Sequence, residues 1–458
     1  MPTGLRQLAP RVGVGSLSSP LEVGADRAPR AAEELAALLG ARGCDVVRAG
    51  AIDAPERSVA AGRTLAEAHV HAVALVSTSW YEDYLVLDLL EECGAPLLLW
   101  ALPGMETGAL CGNQQLTAYL KQLDVAYGCV FGKLDDEAGL TRALSFLRGA
   151  ALKHTLRRSR IGLGGHRVAG MTEVAANEFA LKKAIGPRIV PLDMPELLRR
   201  AEGVSPDEAK RLWRKVVARA GACKVSEADG LDSMKVYVAV RELVEEHRLD
   251  ALTIGCYPHL MGRVCLAASL LADEGVPFGC EGDVNGTVGQ LMLTRLTGQP
   301  THHTDWLEPL DDGSVVLTHC GSGSFSLAEK PEDITLAPVR LMNQGVCALF
   351  PAKPGPVTLL NLMPRGDDLA PGGGLAPGDG YQVALLEGEA ISTEMVFPGN
   401  PLRVRFAEPT DRIIDWIHDE GIGHHWMAGC GRVGAEIRAW ARIVRQRVCL
   451  LEPGAGRS

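Results

Sequence analysis

The sequence predicts an α/β protein with two parallel-sheet domains followed by a C-terminal, antiparallel and barrel-like β domain. The chain has 458 residues, too many for a single hydrophobic core. In its first and central parts, short apolar runs alternate with amphipathic segments, which is typical of parallel sheets covered by helices. From about Glu329 onward, turn-rich stretches separate the strand-like runs, which is typical of antiparallel sheets.

The first predicted domain covers residues 1–155, where strand-like runs alternate with helical segments. Its predicted strands are Arg11–Gly15, Asp45–Arg48, Ala72–Ser77 and Pro96–Trp100, and its predicted helices are Ala31–Ala41 and Tyr84–Cys93. Ligands of parallel sheets bind beyond the carboxyl ends of the strands. In this domain those ends lie near Ser77–Trp80 and Ala101–Gly104.

The second predicted domain, residues 156–300, repeats this pattern, so both domains are expected to be Rossmann-like or flavodoxin-like. Its predicted strands are Arg160–Leu163, Arg188–Pro191 and Ala251–Ile254, and its predicted helices run through Phe179–Leu181 and over Val264–Glu274. The stretch Gly162–Gly165 superficially suggests a dinucleotide loop. The third glycine of that fingerprint is misplaced, however, and no acidic ribose partner follows at the usual distance. Nicotinamide binding is therefore not expected.

The third predicted domain, residues 301–458, is rich in β-strands and carries two helices. Its predicted strands are Pro356–Leu362, Gln382–Leu386 and Leu402–Phe406, and its predicted helices are Arg412–Glu420 and Ala435–Arg445. The glycine-rich stretch Asp367–Gly380 is expected to be an exposed loop and not a phosphate-binding one.

Charge and composition exclude several classes of protein. The net charge is −10 and no basic stripe is present, which argues against nucleic-acid binding. No stretch reaches the apolar length of a membrane span, and residues 1–20 lack the pattern of a signal peptide. The twelve cysteines are scattered, as expected in a reducing compartment. We therefore expect a cytoplasmic protein without membrane partners.

The candidate functional residues are two acids and two histidines in the second half of the chain: Glu281, Asp305, His319 and His425. Two carboxylates and two imidazoles can hold one divalent cation, and the carboxylates can also move protons on the molecule that the cation binds. This combination predicts an enzyme.

Neighbouring residues offer alternatives to this set. Glu281 precedes a helix, where a carboxylate can serve only as a cap, but Asp283 is the better capping candidate and leaves Glu281 free. Either His302 or His303 can replace a chosen ligand, yet both are set aside together with Asp283. A lone histidine at a strand end, such as His319, is more often a core or surface residue than a ligand.

Four short motifs resemble those of the L-fucose isomerase and L-arabinose isomerase family of aldose–ketose isomerases. They are Arg160–Arg167 with Gly170–Met171, Cys280–Asp283, Thr318–Gly321 and Gly423–Trp426. The two acids lie 305 − 281 = 24 positions apart, the spacing of the fucose branch of that family. The resemblance runs through most of the chain.

The resemblance implies specific roles for the candidate residues. Glu281 and Asp305 match the acidic metal ligands, His425 matches the C-terminal histidine ligand, and His319 matches a fourth ligand used by the arabinose branch. Such a ligand set suits Mn²⁺, although another divalent cation is possible. Glu281 and Asp305 are expected to move a proton between C2 and C1 of a sugar through a cis-enediol. The substrate implied is a pentose or a 6-deoxyhexose-like sugar.

The resemblance also implies residues that touch the sugar and an assembly that brings them together. Trp80, Gln115 and His424 are the candidates for substrate binding, Trp80 because an indole packs well on an apolar sugar face. Family members close the site with the N-terminal domain of a neighbouring subunit, so a trimer or hexamer with a shared site is expected. His259 lies where compact relatives often carry an acid, so the sugar preference is open.

Two other functions remain as alternatives. One is a metallohydrolase that uses His302, His303, Asp305 and His319 to hold Zn²⁺. This hypothesis leaves Glu281, His424 and His425 without a role. The other is a catalytically inactive sugar-binding or regulatory homologue, which the intact pair of carboxylates disfavours.

Overall fold

The computed structural model describes residues 5–365 and 380–451, so the predicted loop at 367–380 lies outside the described residues except for its last position. The chain divides into two compact units. The N-terminal unit comprises residues 8–155 and 435–445, and the large unit comprises the rest. The domain boundaries predicted at 155 and 300 stay predictions.

The N-terminal unit contains a five-stranded parallel sheet in the order β2-β1-β3-β4-β5. Its strands are β1 (Arg11–Leu17), β2 (Asp45–Ile52), β3 (Ala72–Ser77), β4 (Leu97–Ala101) and β5 (Tyr127–Phe131). Its helices are α1 (Ala28–Ala41), α2 (Pro55–Glu67), α3 (Tyr84–Glu92), α4 (Ala109–Gln122) and α5 (Glu137–Arg158). Residues of β3 alternate between two hydrophobic clusters, Ala74 in one and Leu75 in the other, so both faces of the sheet are covered. The parallel α/β prediction is confirmed here.

The large unit begins with a four-stranded parallel sheet in the order β10-β9-β6-β7. The strands of this segment are β6 (Arg160–Gly164), β7 (Arg188–Leu192), β8 (Ala222–Cys223), β9 (Ala251–Ile254) and β10 (Phe278–Gly279). The helices are α6 (Glu178–Ala184), α7 (Met194–Gly203), α8 (Pro206–Val217), α9 (Glu227–His247), α10 (Cys265–Asp273) and α11 (Val284–Thr297). The second parallel sheet was predicted, but α7, α8 and α9 were not.

The β-rich part of the large unit holds a seven-stranded mixed sheet in the order β15-β18-β11-β12-β17-β16-β19, with a further β15–β16 ladder. Its strands are β11 (Thr301–Pro309), β12 (Ser314–Thr318), β15 (Gly355–Pro364), β16 (Tyr381–Ile391), β17 (Leu402–Arg405), β18 (His425–Cys430) and β19 (Arg447–Leu450). Strands β13 (Thr335–Ala337) and β14 (Cys347–Leu349) join β8 in a small sheet, and α12 covers Thr410–Asp419. The antiparallel character is confirmed except for the parallel β16–β19 pair. The barrel-like form stays a prediction.

One last helix, α13 (Gly434–Val444), belongs almost entirely to the N-terminal unit. Trp440 is fully buried there, and Ile443 joins the same hydrophobic cluster as Val130. A Cβ at Gly149 would lie 2.7 Å from the backbone nitrogen of Trp440, so α5 and α13 approach closely at this glycine. Separately, no helix within residues 5–365 and 380–451 is both long and apolar enough to cross a membrane.

Candidate active site

Strand register brings three of the predicted site residues together. Asp305 of β11 lies directly opposite His425 of β18 on one side and opposite Thr318 of β12 on the other. Residues that face each other across antiparallel strands present their side chains on the same face of the sheet. His319 follows Thr318 immediately, so it enters the same region from the end of β12.

Glu281 reaches this region from a tight turn between β10 and α11. Its backbone has a φ of 65°, in the left-handed region that few side-chain-bearing residues adopt, and Gly282 follows with a φ of 74°. A hydrogen bond from the segment after β6 stabilises the turn, because the Val168 amide donates to the Glu281 carbonyl at 3.0 Å. Strain of this kind persists where the surrounding structure fixes it, often at functional sites.

The four side chains converge. His425 Nε2 lies 3.2 Å from Glu281 Oε2 and 3.8 Å from Asp305 Oδ1. His319 Nε2 lies 3.8 Å from Glu281 Oε2 and 3.9 Å from Asp305 Oδ2. The side chain of Asp305 is 34% exposed, whereas that of His425 is 2% exposed, so the cluster opens toward solvent on the Asp305 side.

Asp283 performs two tasks at once. Its carboxylate accepts the backbone N–H of Gly286 at 2.9 Å and so caps α11, as the sequence predicted. The other carboxylate oxygen lies 2.9 Å from His425 Nδ1. A carboxylate on one ring nitrogen fixes the imidazole orientation and turns the other nitrogen, here Nε2, toward the cluster. The sequence predicts only the capping role of Asp283, and its contact with His425 is a finding of the structure.

His303 also belongs to the cluster, although the sequence predicts that it lies outside the site. Its ring centroid lies 4.7 Å from that of His319 and 4.4 Å from that of His425. Its Nδ1 accepts the Cys280 amide at 3.4 Å. Burial and the positive charge of His425 hold the pKa of His303 well below its ordinary value, so this ring is neutral and packs behind the two converging histidines.

His302 takes the opposite face of β11. It lines a separate, mostly apolar cavity of about 240 Å³ together with Leu327, Val357 and Leu402. The ring is fully buried, and burial lowers its pKa to about 3. Because side chains alternate along a strand, His302 and His303 cannot serve one site together. The ligand set of the metallohydrolase alternative therefore does not converge.

The charges of the cluster depend on one another. Burial alone would raise the pKa of Glu281, but the nearby imidazoles of His319 and His425 hold it below its usual range. Burial alone would lower the pKa of His425, but Asp283 and Glu281 raise it to about 9. In the same way, Cys280 and Asp305 outweigh burial and raise the pKa of His319. Protonated imidazoles thus balance carboxylates that would otherwise repel each other.

Several polar atoms of the cluster have no hydrogen-bond partner among the described residues. They are Glu281 Oε2, Asp305 Oδ1, His303 Nε2 and His425 Nε2. Unpartnered buried polar atoms are costly, and the carboxylate oxygens of Glu281 and Asp305, which lie 3.2 and 3.8 Å from His425 Nε2, call for a ligand. Two carboxylate oxygens and imidazole nitrogens form a donor set that fits Mn²⁺ or a similar divalent cation.

A cavity of about 440 Å³ lies beside the Glu281 turn, and Gly282 and Val284 form part of its wall. His166 and Arg167 line the same cavity from the segment after β6. In the sequence, both residues are marked only as part of the motif Arg160–Arg167. Their cationic and polar side chains are suited to a negatively charged group on a small molecule.

The three residues predicted to bind substrate lie in different surroundings. His424 is adjacent to His425, half-exposed, and its Nδ1 lies 2.8 Å from Glu173 Oε1. Trp80 and Gln115 lie in the N-terminal unit, where the indole N–H of Trp80 donates to Gln115 Oε1 at 3.1 Å. Trp80 is half-buried and Gln115 is exposed. Their role in substrate binding stays a prediction.

Acids and imidazoles that converge beside a cavity, next to the carboxyl end of a parallel strand, are typical of an enzyme that acts on a small polar molecule. No family model matches the chain. Curated relatives show the class of enzyme more narrowly. A sulfoquinovose isomerase of Alkalicoccus urumqiensis is 23% identical over 397 residues, which cover 83% of this chain and 86% of that protein.

Two further relatives agree. Sulfoquinovose isomerases of Priestia aryabhattai and of Clostridium sp. (strain MSTE9) are 23% and 24% identical, and each match covers 76% of this chain. These matches cover 78% and 79% of the two relatives. The prediction of an enzyme is therefore confirmed, and the chain is an aldose–ketose isomerase. A solute-binding protein of Agrobacterium vitis with bound D-fucose matches at a TM-score of only 0.16, which supports no inference.

Proposed function

We propose that the protein is a metal-dependent aldose–ketose isomerase that moves a proton between C2 and C1 of a sugar through a cis-enediol. The observation that carries this proposal is the convergence of Glu281 and Asp305 on His425 Nε2, at 3.2 and 3.8 Å. The isomerase relatives support the reaction class, and the unpartnered carboxylate oxygens support a cation between the two acids.

The residues that would hold the cation are Glu281, Asp305, His319 and His425. A divalent cation such as Mn²⁺ would supply Lewis-acid stabilisation of negative charge that develops on the sugar oxygens. Asp283 orients His425 for this role because it holds Nδ1 at 2.9 Å. A cation would also replace the charge of the imidazolium protons, so His425 must lose a proton when the cation binds.

Glu281 and Asp305 are the groups that transfer protons. One carboxylate accepts the C2 proton while the other donates a proton to O1, which gives the cis-enediol. The first carboxylate then returns its proton to C1 and the second accepts the O2 proton, which gives the ketose and restores both groups. The two acids differ in environment, since the side chain of Glu281 is 12% exposed and that of Asp305 is 34% exposed. A buried and a more exposed carboxylate are suited to different roles in a pair that acts as acid and base.

The central experiment compares ketose formation by the wild type, Glu281→Gln and Asp305→Asn, each stripped by a chelator and then supplied with Mn²⁺. We expect the wild type to need the cation and each variant to lose about a thousandfold or more in kcat. Asp311→Asn is the control, because Asp311 is an exposed acid in the adjoining hairpin. Full activity in either site variant, or in the stripped wild type, would refute the proposal.

For the substrate we propose a 6-deoxyhexose that carries an anionic group, such as the sulfonated sugar named in the relatives. Arg167 and His166 line the cavity beside Glu281, and the guanidinium of Arg167 provides the matching positive charge. Arg167 is half-buried, and its Nη1 also donates to the Val168 carbonyl at 3.1 Å, so part of the guanidinium remains for a ligand.

Substitution at Arg167 tests this choice of sugar. We expect Arg167→Gln to raise the KM for a 6-sulfonated aldose at least tenfold, with a much smaller effect on an uncharged 6-deoxyaldose. Arg188→Gln is the matched control, because Arg188 is an exposed arginine on β7. Equal effects of Arg167→Gln on charged and uncharged sugars would assign Arg167 a structural role instead.

We further propose, from the family resemblance, a homo-oligomer in which Trp80 and Gln115 of one subunit contact the sugar bound by another. Mixing the inactive variants Glu281→Gln and Trp80→Ala tests this arrangement. A shared site predicts that activity returns when subunits exchange, because some mixed sites contain both native residues. No recovery after verified exchange would contradict sharing.

A further inference from the structure

Five of the twelve cysteines form a contiguous thiol cluster in the large unit, and it lies outside the isomerase chemistry. The members are Cys256, Cys265, Cys280, Cys320 and Cys347. They come from separate segments: the loop after β9, the start of α10, the turn after β10, the end of β12 and strand β14. All five are free thiols, so the fold gathers them without a covalent link.

The inner part of this cluster has the composition of a soft-metal site. The sulfurs of Cys280 and Cys320 and a ring nitrogen of His319 all lie within 4.8 Å of one another. His319 Nδ1 is 3.2 Å from Cys320 Sγ. In a tetrahedral zinc site with Zn–S bonds of about 2.3 Å, ligand atoms stand roughly 3.8 Å apart. Small side-chain movements therefore suffice to form such a site.

The thiol cluster and the carboxylate cluster use different nitrogens of His319. Nε2 lies 3.8 Å from Glu281 and 3.9 Å from Asp305, whereas Nδ1 lies against Cys320. The two nitrogens point to different sides of the ring, so a cation among the thiols is a second site and not a displaced version of the first. Thiolates prefer soft cations, and carboxylates prefer hard ones.

Simple core packing does not account for the polar contacts of the cluster. Buried cysteines often behave as small hydrophobes, and Cys347 and Cys265 do pack with Met261 and Val339. Cys280 Sγ, in contrast, lies 3.2 Å from Ser322 Oγ and close to the imidazole of His319. Cys320 is the most accessible member, so a cation can enter from its side.

We propose that Cys280, Cys320 and His319 Nδ1 form a second cation site, selective for a thiophilic divalent cation such as Zn²⁺ or Cd²⁺. Cys265, which is in contact with Cys320, supplies a fourth ligand. Each coordinating thiol releases one proton to solvent when the cation binds, and no electron is transferred. Because both sites share His319, occupancy of one changes the affinity of the other, and the effect is reciprocal.

The test is a Cd²⁺ titration of the reduced full chain in excess Mn²⁺, followed by the ultraviolet sulfur-to-cadmium charge-transfer absorption. We expect the band to saturate at one equivalent of Cd²⁺. The variants Cys280→Ser and Cys320→Ser should each weaken Cd²⁺ binding at least tenfold. Cys449→Ser is the control, because Cys449 is also buried in the large unit but contacts Gln382 and Glu420 instead.

Three outcomes would overturn the second site. These are no band while Mn²⁺ stays bound, no band while Cd²⁺ displaces Mn²⁺, and a band that the Cys280 and Cys320 substitutions leave unchanged. Cys320→Ala serves if the serine variants fail to fold, since Cys320 is the least buried of the five. The absorption does not depend on isomerase activity, so its absence would leave the proposed function standing.

Discussion

Asp283 sets the orientation of the His425 ring in the cluster. Its two carboxylate oxygens accept from the Gly286 amide and contact His425 Nδ1, each at 2.9 Å. Capping and orientation are separable tasks, because an asparagine caps a helix about as well as an aspartate does but carries no charge. The single residue therefore allows the two contributions to be measured independently.

We predict that Asp283→Asn weakens Mn²⁺ binding by about 10–100-fold while the free energy of unfolding changes by less than about 1 kcal/mol. Asp283→Ala should lower both the Mn²⁺ affinity and the free energy of unfolding, because it also removes the helix cap. Calorimetric titration with Mn²⁺ and urea unfolding of the metal-free proteins measure the two effects. Unchanged Mn²⁺ affinity in the asparagine variant would show that Asp283 only caps α11.

His302 makes stability depend on pH. Burial, and secondarily the charge of His319, lowers its pKa to about 3, whereas the unfolded chain has an ordinary value of about 6.5. Between these values the unfolded state binds a proton that the folded state does not. The free energy of unfolding therefore has its full value with respect to His302 above about pH 6.5. It falls as the pH drops below that value, by up to about 1.4 kcal/mol per pH unit.

His302→Leu removes this titration, and the apolar wall formed by Leu327, Val357 and Leu402 can accept the substitution. We predict that the variant gains stability relative to the wild type as the pH falls from 7 to about 5. Unfolding midpoints of the wild type and His302→Leu are measured at each pH. The titration of all other groups cancels in the difference between the two proteins. A difference independent of pH would contradict the buried, neutral state of His302.

At this scale the sequence predicted the chemical types better than the contacts. Glu281, Asp305, His319 and His425 were selected by residue type, spacing and resemblance, and they do converge. The choice between His302 and His303 was not predictable, because it depends on which face of β11 meets the cluster. That face is set by the pairing of β11 with β18, which separate residues do not reveal.

The turn from β10 into α11 positions Glu281, and its shape depends on Gly282. A Cβ at Gly282 would lie 2.6 Å from the His166 carbonyl oxygen and 2.7 Å from the Arg167 Cα. Both atoms belong to the backbone and cannot rotate away. The left-handed φ of 74° adds a further penalty for any side chain.

We predict that Gly282→Ala destabilises the protein by about 1–3 kcal/mol more than Gly313→Ala does. Gly313 has a similar φ of 76° but open space around it, so the comparison isolates the steric clash. Gly282→Ala should also weaken Mn²⁺ binding, because relief of the clash moves Glu281. Urea unfolding and Mn²⁺ titration are the measurements, and equal losses for the two variants would contradict the prediction.

Elements with strong periodicity were predictable, whereas those that depend on partners were not. The strands of both parallel sheets follow from short apolar runs such as Ala72–Ser77 and Ala251–Ile254. Helix α11 is buried on nearly every side and lacks a polar face that would mark its orientation. The positive φ of Glu281 has no sequence signal either. A left-handed φ is normally indicated by a glycine at the position itself, and here the glycine is the next residue, Gly282.

At the scale of the whole molecule, the chain leaves the N-terminal unit after α5 and returns to it through α13. Arg148 of α5 lies 3.4 Å from the buried Glu436 of α13, and Trp440 is fully buried. The sequence predicted this helix within the C-terminal domain, because an amphipathic pattern shows that a helix is covered but not by which residues.

We predict that Trp440→Ala costs the N-terminal unit about 3–5 kcal/mol, because it leaves a large cavity at a fully buried position. Trp80→Ala is the control in the same unit and should cost much less, since Trp80 is half-buried. Hydrogen exchange of the β1–β5 amides reports the stability of this unit directly. Equal protection in the two variants would show that α13 contributes little to it.

The measurement that tests the central claim most directly is solvent deuterium incorporation during turnover of a 6-sulfonated aldose with Mn²⁺. Proton transfer through a cis-enediol by Glu281 and Asp305 predicts deuterium at C2 of recovered aldose and at C1 of ketose. Glu281→Gln and Asp305→Asn should abolish both signals, while Asp311→Asn keeps them. Ketose formed without deuterium, or exchange that persists in both site variants, would contradict the account.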